Sequence, residues 1–168
     1  MELYVIRHAI SEPLGKRNEF SDEKRSLTDA GRDRMLEITK GLRKLGVQFD
    51  LLLTSPLIRA IQTAEIIAAA FDVGVKEIQQ TANLAPGASV VALFTEIKSH
   101  TGVESVALVG HQPDLSLLVS GIIGSAAASI QLKKGGVCCV NVSETVPALR
   151  GDLVWLLTPK QLRLLARA

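Results

Sequence analysis

Leu3-Tyr4-Val5-Ile6-Arg7-His8, at the start of the chain, and Val106-Ala107-Leu108-Val109-Gly110-His111, in its second half, decide the reading of the whole sequence. Each is a short apolar run with β-branched members that stops abruptly at polar residues or at Gly-His, the pattern of a buried strand running out into a loop. The chain holds three histidines. Two of them, His8 and His111, therefore stand just past the ends of separate strands.

Working outward, Thr28 precedes a stretch in which Met35, Ile38, Leu42 and Leu45 recur at three- and four-residue steps and which Gly46 ends, an amphipathic helix. Asp50 to Leu53 reads as a further strand. Thr54-Ser55-Pro56 then opens a helix, with a hydroxyl near the N-cap and Pro in the first turn, and that helix carries Arg59. Val75 to Ile78 is a short strand, Ser89 to Lys98 a helix, and Pro113 the start of another. Val137 to Val142 and Leu153 to Leu157 read as late strands and Pro159 to Ala166 as a terminal helix. Glu12 to Arg25 is polar, carries Pro13 and Gly15, and reads as an ordered loop or lid. Alternating strands and helices predict an α/β fold: a three-layer α/β/α sandwich whose central sheet is mostly parallel and covered on both faces. Ligands of such sheets bind outside the carboxyl ends of the strands. With 168 residues and no repeat or linker, the expectation is one domain spanning 1–168.

Composition narrows the function. Hydrophobic residues make up 47% and charged residues 21%, a globular balance, while a net charge of +2 and 4% aromatics give no nucleic-acid footprint. Any electropositive site is then local. The apolar start is broken by Arg7 and has no basic lead, unlike a signal peptide. The uncharged stretch Leu115 to Ile130 is shorter than the ~20 residues of a membrane helix and is interrupted by serines and glycines, so it reads as buried helix plus loop. Cys138 and Cys139 are adjacent in a strand and point to opposite faces, which suits two buried thiols rather than a disulfide or a zinc site. The expected location is the cytoplasm. His100 falls at a helix end, where an imidazole suits the helix dipole.

Arg7-His8-Ala9, the segment Ser55-Pro56-Leu57-Ile58-Arg59-Ala60-Ile61-Gln62-Thr63 and Gly110-His111 occur in the order that characterises the histidine phosphatase superfamily, and the chain resembles that phosphoglycerate-mutase-like family over essentially its whole length. Within it, the short chain, Ala9 and Arg25-Ser26-Leu27-Thr28 look like the SixA-type phosphohistidine phosphatases. The resemblance implies phosphoryl transfer to His8, then attack by water on the phosphohistidine enzyme, without metal or other cofactor. The residue chemistry agrees. An imidazole with a pKa of about 6.5 is largely neutral at physiological pH and can attack phosphorus without a separate base. Charge spread over the nonbridging oxygens calls for fixed cations, and Arg7 and Arg59 supply permanently charged forks. His111 adds a hydrogen bond to the phosphoryl group. Arg25 and Ser11 are further candidates for contact with phosphate. Two histidines without His-x-x-x-His or paired-Cys spacing do not make a metal site.

Many larger relatives take a proton donor from a Glu in the loop after the third strand. The corresponding residues here, Thr81-Ala82-Asn83-Leu84-Ala85-Pro86-Gly87, include no carboxylate. An alkoxide leaving group is nearly as basic as hydroxide, whose conjugate acid has a pKa of about 15.7, whereas imidazole leaves with a conjugate acid near about 6.5. The departure therefore favours a phosphohistidine substrate, presented by a protein such as a histidine-containing phosphotransfer domain. Asp22 and Glu19 are the fallback proton donors. The other readings are a small-molecule phosphomonoesterase and a phosphate-binding module without turnover; oligomeric state and partner are not legible.

Overall fold

The structure is a computed structural model that describes residues 1–14, 22–71, 78–100, 102–125, 127–144 and 150–168. In chain order its elements are β1 (Glu2–Arg7), α1 (Asp29–Lys44), β2 (Leu51–Thr54), α2 (Ile58–Ala70), β3 (Ile78–Gln80), α3 (Val90–Ser99), β4 (Ser105–Gly110), α4 (Asp114–Ile122), β5 (Val137–Glu144), β6 (Arg150–Leu157) and α5 (Pro159–Arg167). The two decisive apolar runs are β1 and β4, and they are direct neighbours: Leu3 lies opposite Val106 and Arg7 opposite Gly110 in a parallel ladder. His8 and His111 consequently leave the sheet from the same edge.

The six strands form one sheet in the order β3-β2-β4-β1-β5-β6. β3, β2, β4 and β1 pair in parallel, and β5 runs antiparallel to both β1 and β6. Successive side chains of each strand enter different cores. Leu3, Val5, Leu53, Leu108 and Cys138 pack with Leu93 and Ile97 of α3 and Leu115 and Leu118 of α4. Tyr4, Ile6, Leu52, Val109 and Cys139 pack on the other face with Met35 and Ile38 of α1, Ala64 and Ile67 of α2 and Leu162 of α5. The crossovers from β1 to β2 and β2 to β3 move one way along the sheet and those from β3 to β4 and β4 to β5 the other way. For the three crossovers between parallel strands, right-handed connections require α1 and α2 on one face and α3 on the other, as seen, and α4 packs beside α3. Both faces are covered, as predicted.

Local chemistry sets the element ends. Thr28 caps α1 by accepting from the Gly31 amide at 3.0 Å, and Gly46, at φ 73°, ends it. Gly41 lets α5 cross α1 closely: a Cβ there would lie 2.1 Å from the Leu162 carbonyl oxygen. Several boundaries differ from expectation, among them β6, which begins at Arg150 rather than Leu153. The third strand occupies Ile78–Gln80, and residues 75–77 of the predicted one lie outside the described residues. Pro113 stands just before α4 rather than in its first turn. α2 begins at Ile58, with the Ser55 hydroxyl accepting from the Leu57 amide at 3.3 Å ahead of it.

Cys138 and Cys139 are free and buried on opposite faces, and burial pushes their thiols up, to about 12 and about 11. They are inert as nucleophiles at neutral pH. Among the described residues no helix is long and apolar enough to cross a membrane.

Candidate active site

Backbone hydrogen bonds stitch the carboxyl ends of the four parallel strands into one rim: the His8 amide donates to Gly110 O (3.1 Å), Ser55 to Val109 O (2.9 Å) and Thr81 to Thr54 O (2.9 Å). On it the rings of His8 and His111 stand 5.0 Å apart between centroids. Arg59 reaches the same place from the first turn of α2. His8, Arg59 and His111 are 4%, 3% and 3% exposed, and Arg7 is half-buried. Four residues from three distant stretches of the chain thus converge where an α/β sheet binds its ligands.

The His8 ring has a fixed tautomer. Its Nδ1 lies 2.7 Å from the Ala9 carbonyl oxygen, which only accepts, so Nδ1 carries the proton and the lone pair is on Nε2. Burial, ahead of the nearby His111, Arg59 and Arg7, pushes the His8 pKa down to about 3 despite the opposing bond to Ala9. The ring is neutral throughout the physiological range. His111, lowered to about 4 chiefly by burial, is neutral as well. Its Nε2 is 2.8 Å from Ser55 Oγ. Ser55 Oγ accepts from the Leu57 amide and has its own hydrogen to give to His111 Nε2; in that tautomer His111 presents Nδ1–H as a donor.

The buried side-chain nitrogens and oxygens that lack a hydrogen-bond partner, among the described residues, are Arg7 Nε, Arg59 Nε and His111 Nδ1. All three belong to this cluster. Folded proteins leave few such groups unpaired, since each costs about 1–3 kcal/mol, and three in one cluster are what a site that receives acceptor oxygens would hold. Arg7 is held by Nη1 on Leu132 O at 2.9 Å. Burial lowers the pKa of both guanidiniums, yet arginine stays charged. Among the described residues no group of three or more His, Cys, Asp or Glu is placed to hold a metal ion.

Asp22 sits at this cluster. Its carbonyl oxygen and its Oδ2 accept from Arg59 Nη1 and Nη2 at 2.6 and 2.8 Å, and its Oδ1 accepts from Arg25 Nε at 2.8 Å. Burial raises its pKa, but the hydrogen bonds and charges of Arg59 and Arg25 outweigh that and the net direction is down. In this arrangement Asp22 is a carboxylate that occupies the guanidinium of Arg59. Arg25 is further held by Glu12 O (2.8 Å), and Ser11, buried, faces Arg25 Nη1 at 3.5 Å. Glu19 lies outside the described residues.

Four residues carry positioning roles that the sequence reading did not assign. Thr63 accepts from the Ala9 amide at 3.0 Å and donates to Arg59 O at 2.7 Å, tying α2 to the residue after His8. Ser55 holds the His111 ring through Nε2. Glu96, from α3, accepts from Thr81 Oγ1 (2.6 Å) and Asn83 Nδ2 (2.8 Å) and braces the loop after β3. Gln62 accepts from the Leu27 amide at 2.7 Å and anchors the segment following Arg25. Ser55 and Thr63 stand within the motif that carried the resemblance, and that was the available signal.

An acid limb follows from the histidine environments. With His8 as the attacking group, as the resemblance implies, a lowered pKa extends activity toward acid: kcat/KM for an acid-stable phosphate ester, after correction for the ester's own phosphate ionisation at about pH 6, is expected to hold from pH 7 to about 5 and to fall only near the values of about 3 and about 4 given for His8 and His111. A limb centred near pH 6.5 would mean that both imidazoles are solvated.

Comparison with known proteins places this geometry. The sequence description of the histidine phosphatase superfamily (branch 1) matches residues 3–85. An uncharacterised protein of Picosynechococcus sp. is 39% identical over 140 residues, 82% of each chain. Among solved structures, the protein histidine phosphatase SixA complexed with tungstate superposes with a TM-score of 0.84 at 23% identity, covering 96% of this chain and 99% of that one. A protein from Agrobacterium tumefaciens assigned as phosphohistidine phosphatase SixA gives 0.77 at 25% identity, over 94% and 97%. One from Escherichia coli K-12 assigned as an alpha-ribazole-5'-phosphate phosphatase gives 0.74 at 19%, over 95% and 98%. The fold is the phosphoglycerate-mutase-like fold of SixA, and the chain belongs to the histidine phosphatase superfamily.

Proposed function

We propose that this chain, a phosphatase by its family, hydrolyses phosphohistidine on proteins of cytoplasmic phosphotransfer signalling through a phospho-His8 intermediate. The observation that carries the reading is the convergence of unpaired Arg7 Nε, Arg59 Nε and His111 Nδ1 beside a neutral His8 whose lone pair is on Nε2. In the first half-reaction His8 Nε2 attacks phosphorus, the bond to the leaving nitrogen breaks, and the three donors hold the phosphoryl oxygens. Water then attacks the phosphohistidine, and the imidazole of His8 leaves. Asp22 gives up Arg59 to the incoming phosphate. Neither half-reaction calls on a metal ion.

The leaving group separates this reading from a phosphomonoesterase, which the fold also supports through its likeness to the Escherichia coli structure. The described loop 81–87 presents no carboxylate, and Glu96 is engaged in bracing it. The test is a comparison of phosphohistidine and phosphoserine in otherwise identical peptides. A preference of at least about a hundredfold for phosphohistidine in kcat/KM is expected, the scale of one missing general acid. Comparable turnover would overturn the reading. Asp22 is the remaining proton source for alcohol leaving groups once it leaves Arg59. Asp22→Asn is expected to slow ester hydrolysis at least tenfold more than phosphohistidine hydrolysis, and equal effects would remove Asp22 from the proton path.

A further inference from the structure

Beside the phosphoryl site, a cavity of about 360 Å³ opens between α1, α5 and the loop 133–135. Its floor is apolar, with Ala9, Ile10, Ile38 and Pro159. Its lining also carries Arg34, Lys133, Lys134, Lys160 and Arg163, and no carboxylate. Glu37 pairs with Arg163, while no described carboxylate pairs with Arg34, Lys133, Lys134 or Lys160. Four cations on one apolar cleft repel one another and gain nothing from the fold.

The cleft adjoins the segment that carries the catalytic residues. Ala9 and Ile10 follow His8 directly, and the Gly135 amide donates to Arg7 O and His8 O at 3.0 and 3.2 Å. Gly135 is at φ 77°, and a Cβ there would press within 2.9 Å of Ile38 Cδ1, so glycine fixes the path of the two lysines before it. Lys134 faces both regions: burial first, then the charges of Arg7, Arg25 and Arg59, lowers its pKa. Arg34, Lys133 and Lys160 stand exposed at the rim. Exposed rim charges contribute to steering and register of a large partner more than to holding a small ligand, which gains from desolvated contacts.

We propose that this cleft is a docking subsite for an acidic segment of the phosphohistidine-bearing protein, whose carboxylates lie on Arg34, Lys133, Lys134 and Lys160 while its phosphohistidine enters at His8. The proposal rests on the phosphohistidine reading above and adds to it a preference among phosphohistidine proteins for those with acidic residues beside the modified histidine.

The test uses two phosphohistidine peptides that differ only in four flanking residues, glutamate in one and glutamine in the other. The wild-type protein is expected to favour the glutamate peptide by about tenfold in kcat/KM, through KM, with the preference shrinking as salt rises. Lys133→Glu/Lys160→Glu is expected to abolish or invert the preference and to hydrolyse free phosphohistidine as the wild type does. Lys40→Glu/Lys44→Glu, the same charge change on exposed α1 positions that do not line the cavity, is expected to retain it. Equal kcat/KM for the two wild-type peptides, a preference that survives Lys133→Glu/Lys160→Glu, or one lost equally in Lys40→Glu/Lys44→Glu overturns the docking site and leaves the phosphohistidine reading intact. Hydrolysis of an alcohol phosphate with neither peptide touched overturns that reading, and the docking site with it.

Discussion

His8→Ala is expected to lower turnover of a phosphohistidine protein by on the order of 10⁵-fold and to leave the fold unchanged, with no phosphoenzyme formed, since loss of a nucleophile removes the whole covalent route. His8 is buried, and its side-chain hydrogen bond goes to the adjacent Ala9 carbonyl, so truncation breaks no side-chain hydrogen bond between distant elements and loses only the ring contact with His111. Inorganic phosphate should still bind to Arg7, Arg59 and His111. Rapid-quench assays give the rate, and phosphate titration followed by calorimetry shows whether the pocket is intact. Residual turnover within tenfold of wild type would remove His8 as the phosphoryl carrier.

Arg59→Ala is expected to cost on the order of 10³-fold in kcat/KM, because it deletes the guanidinium that meets the developing charge in a site from which water is largely excluded. The variant has a second consequence. Asp22, now without its partner on α2, keeps Arg25 alone, and burial pulls its carboxyl back toward neutrality. Arg59→Lys should recover only a small part of the loss, since an ammonium keeps the charge but not the fork that reaches Asp22 through both Nη1 and Nη2. Kinetics of both variants on one phosphohistidine peptide check this; equal activity of Lys and Arg at position 59 would mean that only charge matters there.

The parts of this site that could be read from sequence are those a local pattern specifies. An apolar run stopped by Arg7-His8 or by Gly110-His111 marks a strand end whatever the rest of the chain does, and the parallel pairing of β1 with β4 then brings the two histidines together. Arg59 was legible because its motif fixes it in the first turn of a helix. What could not be read depends on partners distant in sequence. The contact of Ser55 with His111 spans 56 positions and that of Arg7 with Leu132 spans 125. The reversal of β5 was hidden for another reason: a strand covered on both faces is apolar at every position in either direction. Lys133-Lys134 matched no motif, and the loop that aims them at the cleft is set by Gly135 and its bonds to Arg7 and His8.

The helix-to-loop ties suggest how the site keeps its shape during turnover. Thr63 couples Arg59 O to the Ala9 amide, so the fork and the nucleophile are carried on one hydrogen-bonded unit. Asp22, by contrast, joins that unit only through side-chain and carbonyl contacts from a half-exposed turn. On the proposed mechanism His8, the two arginines and His111 form a preorganised set, and Asp22 is the charged contact among the described residues that gives way to substrate.

The central claim is that His8 carries the phosphoryl group, and the most direct measurement is to quench a single turnover in alkali and map labelled phosphate from a phosphohistidine protein onto the enzyme by peptide mass spectrometry. The account predicts an alkali-stable, acid-labile label on the peptide containing His8, appearing and decaying at rates that match turnover in the presence of a metal chelator. Label on another residue, or phosphate release at the full rate with no phosphoenzyme on the path, would contradict it.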